Sequence, residues 1–295
     1  MKKTALILLL TALCVLLCSC GSVGYVYTDA DDYTAGGASI HQRVEDIDIN
    51  WLDGSVRVAY HSGSDIIISE TSDRSLNTDT ELHWQVDGRK LYVKYAASGF
   101  RALPNLNKQL TVLLPESLRL DDLKITVASA GVEADGINAD EIHLQSASGR
   151  IALRQVGHAE EIKVDTASGG VAVAAGDTDS LKINTASGQV IVDAIQADEV
   201  KVNTASGAVT LQFSDAPDRI NADSVSGNVT IRLPREAGFT ADVDSLSGTV
   251  RCQQDADKRG DDTYVYGNGH CRIEADTVSG NLQVEINADA GEKEI

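Results

Sequence analysis

The chain has 295 residues, with 44 acidic against 25 basic side chains and a formal net charge of −19. That balance argues against nucleic acid as a partner, because affinity for phosphate backbones comes from Lys and Arg displacing counterions; it serves instead to keep an exposed β protein soluble. Aromatic residues make up only 4% of the sequence, too few for the aromatic platforms and paired carboxylates that a polysaccharide-processing enzyme needs.

In chain order, Met1-Lys2-Lys3 followed by an apolar run through Leu17 reads as a secretory signal, too short to span a bilayer. It closes on Leu17-Cys18-Ser19-Cys20-Gly21, which resembles a bacterial lipobox with Cys20 as the lipidated residue. Cys18 departs from the residue type usual at that position, and an ordinary signal peptide cut nearby is the alternative. On the lipobox reading, residues 1–19 are a lipoprotein signal peptide. The mature protein is then held by its lipid at the outer face of a bacterial membrane, in the cell envelope. Loss of Lys2 and Lys3 takes the net charge to −21. Residues 20–39, small and polar with Asp29, Asp31 and Asp32, read as a flexible tether.

Residues 40–120 carry period-two apolar stretches at Ile47–Trp51, Val56–Val58, Ile66–Ile68, Leu82–Val86, Leu91–Tyr95 and Leu110–Leu114. They are either diverged coils of the repeat that follows or a separate β-cap, since terminal repeats are atypical where they shield an open edge.

From 121 to 287 the chain is repetitive. Thr-Ala-Ser-Gly recurs at 166–169, 185–188 and 204–207, and the glycine position falls at Ala130, Gly149, Gly169, Gly188, Gly207, Gly227, Gly248 and Gly280. Alternating apolar residues flank each copy: Ile162 and Val164 before Gly169, Val171 and Val173 after it. β-branched residues dominate these positions, and no apolar stripe of helical period lasts three turns. A unit of 19–20 residues with two strands and no helix predicts an all-β, single-domain parallel β-solenoid. The glycine is expected at a corner, for a positive φ or for close approach to the coil below. Ser129, Ser148, Ser168, Ser187 and Ser206 are expected to stack as a hydroxyl ladder rather than act as nucleophiles.

The step from Gly248 to Gly280 is 32 residues and is flanked by Cys252 and Cys271. It reads as a loop over 252–271 bulging from the solenoid. In an oxidising compartment a Cys252–Cys271 disulfide would close it, contributing about 3 kcal/mol; two buried thiols in separate coils are the alternative. Residues 288–295 read as a disordered tail.

No catalytic or metal-binding set emerges. The six histidines share neither repeat phase nor ligand spacing, and Asp177, Asp179 and the acidic run Asp255, Asp257, Asp261 and Asp262 match no calcium-loop pattern. No cofactor is expected. Tyr264 and Tyr266, inside the 252–271 segment, are the candidates for a partner-contacting surface, while Trp51 has core parity.

The segments Leu110–Pro115 and Leu123–Val127, the Ser-Gly corners with their alternating valines, and the closing Thr277-Val-Ser279-Gly280-Asn-Leu282 together resemble the bacterial putative-adhesin family, β-solenoid domains of unknown function. The resemblance spans roughly residues 40–287. It implies a secreted or surface-anchored solenoid with adhesion or envelope roles, and no catalytic residue. The expectation is therefore a non-enzymatic, lipid-anchored binding scaffold for an unidentified protein or glycan. An envelope-stress or signalling accessory is the alternative, and a β-helix polysaccharide-processing enzyme a more distant one.

Overall fold

The computed structural model describes residues 25–99 and 106–287; the signal segment, Cys20 and the 288–295 tail lie outside the described residues. Helix among them is limited to one 3-10 turn, Ala30–Asp32. The strands in chain order are β1 (Thr34–Ala35), β2 (Ala38–Ile40), β3 (Asp46–Trp51), β4 (Ser55–His61), β5 (Ile66–Thr71), β6 (His83–Asp87), β7 (Lys90–Lys94), β8 (Gln109–Pro115), β9 (Leu120–Val127), β10 (Gly131–Asp135), β11 (Ala139–Ser146) and β12 (Ile151–Arg154). There follow β13 (His158–Thr166), β14 (Val171–Thr185), β15 (Val190–Thr204), β16 (Val209–Phe213), β17 (Arg219–Ser224), β18 (Val229–Leu233), β19 (Phe239–Ser245), β20 (Val250–Cys252), β21 (Asp257–Arg259), β22 (Thr263–Tyr266), β23 (Cys271–Thr277) and β24 (Leu282–Ile286).

Most of these pair in parallel with the equivalent strand of the next unit, so the fold is all-β and solenoid-like. Ile142 stands opposite Ile162, Ile162 opposite Leu181, and Leu181 opposite Val200. The strands before each Ser-Gly corner stack into one wall, A, and those after it into a second, B. Inward residues of both walls, such as Ile142, Leu144, Ile151, Leu153, Val200 and Val202, are fully buried and form one continuous core. β14 and β15 run unbroken from wall B around the opposite corner into wall A.

The Ser-Gly corner is set by packing between coils. A Cβ on Gly169, Gly207 or Gly227 would lie 1.9 Å from the carbonyl oxygen of the glycine one coil below, and none of the three has a positive φ. Close approach, not left-handed backbone, is therefore what demands glycine. The residue three before it completes the turn: the Gly169 and Gly207 N–H groups donate to Thr166 Oγ1 at 2.9 Å and Thr204 Oγ1 at 3.0 Å. At the opposite corner the chain uses left-handed residues in phase, Gln155, Ala175 and Ala194, with φ of 51°, 50° and 52°.

At both ends the rungs are not in chain order. β3 and β4 pair on one side with β9 and β10 and on the other with β7 and β8. The first coil thus lies between the second and the third, and the 76 residues from Gly54 to Ala130 separate neighbouring rungs. Likewise β23 and β24 lie between β17/β18 and β19/β20. Residues 40–120 therefore contain in-register coils and part of a cap that β1 and β2 complete: β6 then β1 extend wall A antiparallel, and β5 then β2 extend wall B.

Two expectations are corrected here. From Tyr25 on, the supposed tether packs on the domain: Tyr25 Oη donates to the Asn50 carbonyl at 3.2 Å, and β1 and β2 join the walls. Three tyrosines in that stretch supply the burial that a polar linker lacks. The 252–271 segment is not a simple loop either, because β21 and β22 form a hairpin whose β22 pairs antiparallel with β19.

Candidate functional site

Cys252 and Cys271 are both free thiols, so the expected disulfide is not formed. Cys252 ends β20 in wall B opposite Val284, whereas Cys271 opens β23 in wall A opposite Phe239. Cys252 follows the Gly248 corner and Cys271 precedes the Gly280 corner, and that difference puts the two thiols on different walls. Burial pushes the Cys252 thiol up to about 11 and, with Asp218 adding to it, the Cys271 thiol to about 12. Both are thus protonated and unreactive at neutral pH.

Tyr264 and Tyr266 share one face of β22 and pack against the end of the core. Tyr266 stacks on buried Phe239, with ring centroids 5.6 Å apart, and Lys258 Nζ sits 5.5 Å over the Tyr264 ring. Both rings lie on the strand that covers the β19 edge of wall A and remain half-exposed there.

Corner serine hydroxyls are spent on structure. Ser129, Ser168 and Ser226 donate to the carbonyls of Leu52, Ala147 and Ala205 on the adjacent rung at 3.1–3.3 Å. His158 faces Asp177 at 3.3 Å and Asp179 at 3.8 Å on the surface. Among the described residues no group of three or more His, Cys, Asp or Glu is arranged to hold a metal.

The structure adds three features. The first is a buried ion pair in the N-terminal cap. Lys108 is 0% exposed, its Nζ lies 2.6 Å from Glu70 Oε2 and donates to the Thr80 carbonyl at 2.7 Å and to that of Tyr95, and it sits over the Trp51 and Tyr95 rings at 4.9 and 4.5 Å. Burial lowers the Lys108 ammonium below its ordinary range, with Glu70 opposing. Parity was a readable signal, since Lys108 alternates with Leu110 and Val112, and Glu70 with Ile66 and Ile68. Two inward charges of opposite sign predict each other.

The second is a carboxylate ladder. Register puts Asp223, Asp276 and Asp244 on three successive rungs of wall A, with Glu274 and Asp242 one row over. Burial, then Asp276 and Glu274, raise the Asp223 carboxyl to about 6.

The third is a pair of clefts on the side opposite the Ser-Gly corner. One, of about 600 Å³, crosses four rungs of wall B at the ends of β8, β4, β10 and β12 and is centred on Tyr60, Glu116, Asp135 and Gln155. The other, of about 520 Å³, lies near the far end between Asp215, Arg235, Glu236 and His270.

With this geometry in place, the family described as Toastrack DUF4097 matches residues 44–285. Among solved structures, a putative adhesin from Parabacteroides distasonis is 15% identical, with a TM-score of 0.50, covering 86% of this chain and 97% of its own. A putative lipid binding protein from the same organism is 16% identical over 86% and 97% of the two chains, with a TM-score of 0.48. A putative adhesin from Bacteroides fragilis is 11% identical over 85% and 96%, with a TM-score of 0.46. At such identities the likeness concerns the fold alone. No curated protein matches the sequence.

Proposed function

The chain belongs to the Toastrack DUF4097 family, and on that premise we propose that it is a non-enzymatic surface scaffold, anchored by lipid at Cys20 to the outer face of a bacterial membrane. Its parallel β-solenoid of 19–20-residue coils presents a rigid face to a protein or glycan of the envelope. The observation that carries this reading is the outward register of wall A. Lys124, His143, Lys163, Lys182 and Lys201 occupy one position on five successive rungs. Rungs about 4.8 Å apart make this an extended, pre-ordered array, of the kind repeat proteins use for recognition rather than for chemistry. The Lys row is balanced by neighbours, including Lys182 with Glu161 and Lys163 with Asp165 at 3.7 Å, so it suits a mixed polar partner better than a polyanion. The half-exposed Tyr264 and Tyr266, at the end of the walls opposite β1 and β2, add an apolar contact point.

The test is cell fractionation with protease shaving. Wild type should pellet with membranes and be degraded on intact cells, and Cys20→Ser should move to the soluble fraction. Continued pelleting of Cys20→Ser, or protection of wild type from external protease, would overturn the anchored-surface reading.

A further inference from the structure

The cleft at the ends of β8, β4, β10 and β12 has the chemistry of a sugar site. Its origin is local. The chain leaves β10 through Gly136, at φ +72°, and leaves β12 through Gln155, at φ +51°. These left-handed turns fold the backbone away sharply, and Gly136 offers no Cβ in front of the Tyr60 ring, where one would stand 3.7 Å from Cδ2. Tyr60 is pre-set: its phenol donates to the Leu118 carbonyl at 3.2 Å and accepts the Asn138 N–H at 3.0 Å. The Asn138 side chain is separately held by Arg119, which donates to its Oδ1 at 2.6 Å. A ring whose hydroxyl is fixed by one donated and one accepted hydrogen bond loses little freedom on binding.

Around this ring stand the carboxylates of Glu116 and Asp135 and the amide of Gln155. Glu116 is exposed, and Arg154 approaches Asp135 only to 3.8 Å. An aromatic ring beside carboxylate and amide acceptors matches the C–H faces and hydroxyl edges of a pyranose. The two carboxylates disfavour uronates, sialic acids and phosphates, and Arg154 and Arg119 are each turned toward an acid, Asp135 and Asp140. A volume of about 600 Å³ lies within the range of small-ligand sites, about 300–1,000 Å³.

We propose that this cleft binds a neutral glycan, with Tyr60 as the platform and Glu116 and Gln155 as hydroxyl acceptors. The proposal deepens the surface-scaffold reading and rests on it for access to glycans of the envelope.

The experiment uses the detergent-solubilised full chain against neutral cello-, manno- and N-acetylchito-oligosaccharides, with polygalacturonate as the charged control. At least one neutral series should bind saturably, and Glu116→Gln and Gln155→Ala should each weaken it about fivefold, roughly the worth of one hydrogen bond. Both side chains are exposed, so thermal melting should not move. Absence of neutral binding at millimolar concentration, preference for polygalacturonate, or affinity unchanged in both variants would overturn the proposal. Failure here is separable from failure of the scaffold reading: retention of an isolated envelope fraction by the Glu116→Gln/Gln155→Ala double variant, at wild-type strength, refutes the cleft and leaves the scaffold standing.

Discussion

Replacing Lys108 by Met tests whether the N-terminal cap is pinned by its buried ion pair. Met keeps most of the side-chain volume, so the packing loss is small. What remains is a Glu70 carboxylate with a side chain only 6% exposed and no counter-charge, together with the Thr80 and Tyr95 carbonyls deprived of their donor. Breaking a buried pair from one side costs about 3–5 kcal/mol. Lys108→Met/Glu70→Gln removes the stranded charge while an amide oxygen can still accept the Leu82 N–H, so it should regain about 2 kcal/mol of that loss. Trp84 lies in the cap and the Trp51 ring lies under Lys108 Nζ, so urea unfolding followed by tryptophan fluorescence reports on the region affected. The single variant should lower the midpoint at unchanged slope, and the double should sit between it and wild type. A single variant indistinguishable from wild type, or a double no better than the single, would refute the reasoning.

Three further outcomes follow from the corners and the ladder. Gly207→Ala should cost about 3 kcal/mol in denaturant melts, because its Cβ would meet the Gly188 carbonyl oxygen at 1.9 Å; Gly170→Ala, whose nearest neighbour would be 3.7 Å away, is the silent control. Ala194→Gly should stabilise by about 0.5 kcal/mol, since relief of a left-handed alanine at φ 52° outweighs the added chain entropy, and a lower melting temperature would count against strain at that corner. Asp223→Asn should leave stability unchanged near pH 4 and raise it above pH 6. The Asp223 carboxyl is raised in the fold to about 6, so the native state favours its protonated form and loses stability as pH rises through that value. The half-exposed site limits the gain to about 1 kcal/mol after solvent screening, and equal melting profiles of the two proteins from pH 4 to 8 would refute the ladder repulsion.

How much of this was legible depends on whether a feature repeats. The strands, inward valines and Ser-Gly corners were readable because each is restated every coil, and periodicity averages over local noise. Tyr60 escaped notice because it occurs once, in a diverged coil, and its partners Glu116, Asp135 and Gln155 come from three other rungs. Lys108 and Glu70 carried a parity signal, but only as a pair. The contact of a free-looking Tyr25 with the first wall had none.

Rung order was the deeper blind spot, and its physical reason is the repeat itself. Coils with the same corner chemistry fit one another whatever their order in the chain, so the period fixes the shape of a rung and not its neighbours. Gly280 stacks on Gly227 and Gly248 stacks on Gly280, each with the close carbonyl contact seen in the regular coils. The inverted order therefore leaves every corner intact. It also changes what the ends expose. β3 near the start of the chain and β24 near its end each have strand partners on both sides. The outermost positions fall to strands that suit an edge: β1, β2 and β20, of two, three and three residues, and the exposed Asp-Lys-Arg of β21. Short and charged edge strands resist pairing with another chain. In the inverted order β19, seven residues long and apolar on its inner face, ends the parallel rungs of wall A, and the β21–β22 hairpin covers that edge by pairing with it.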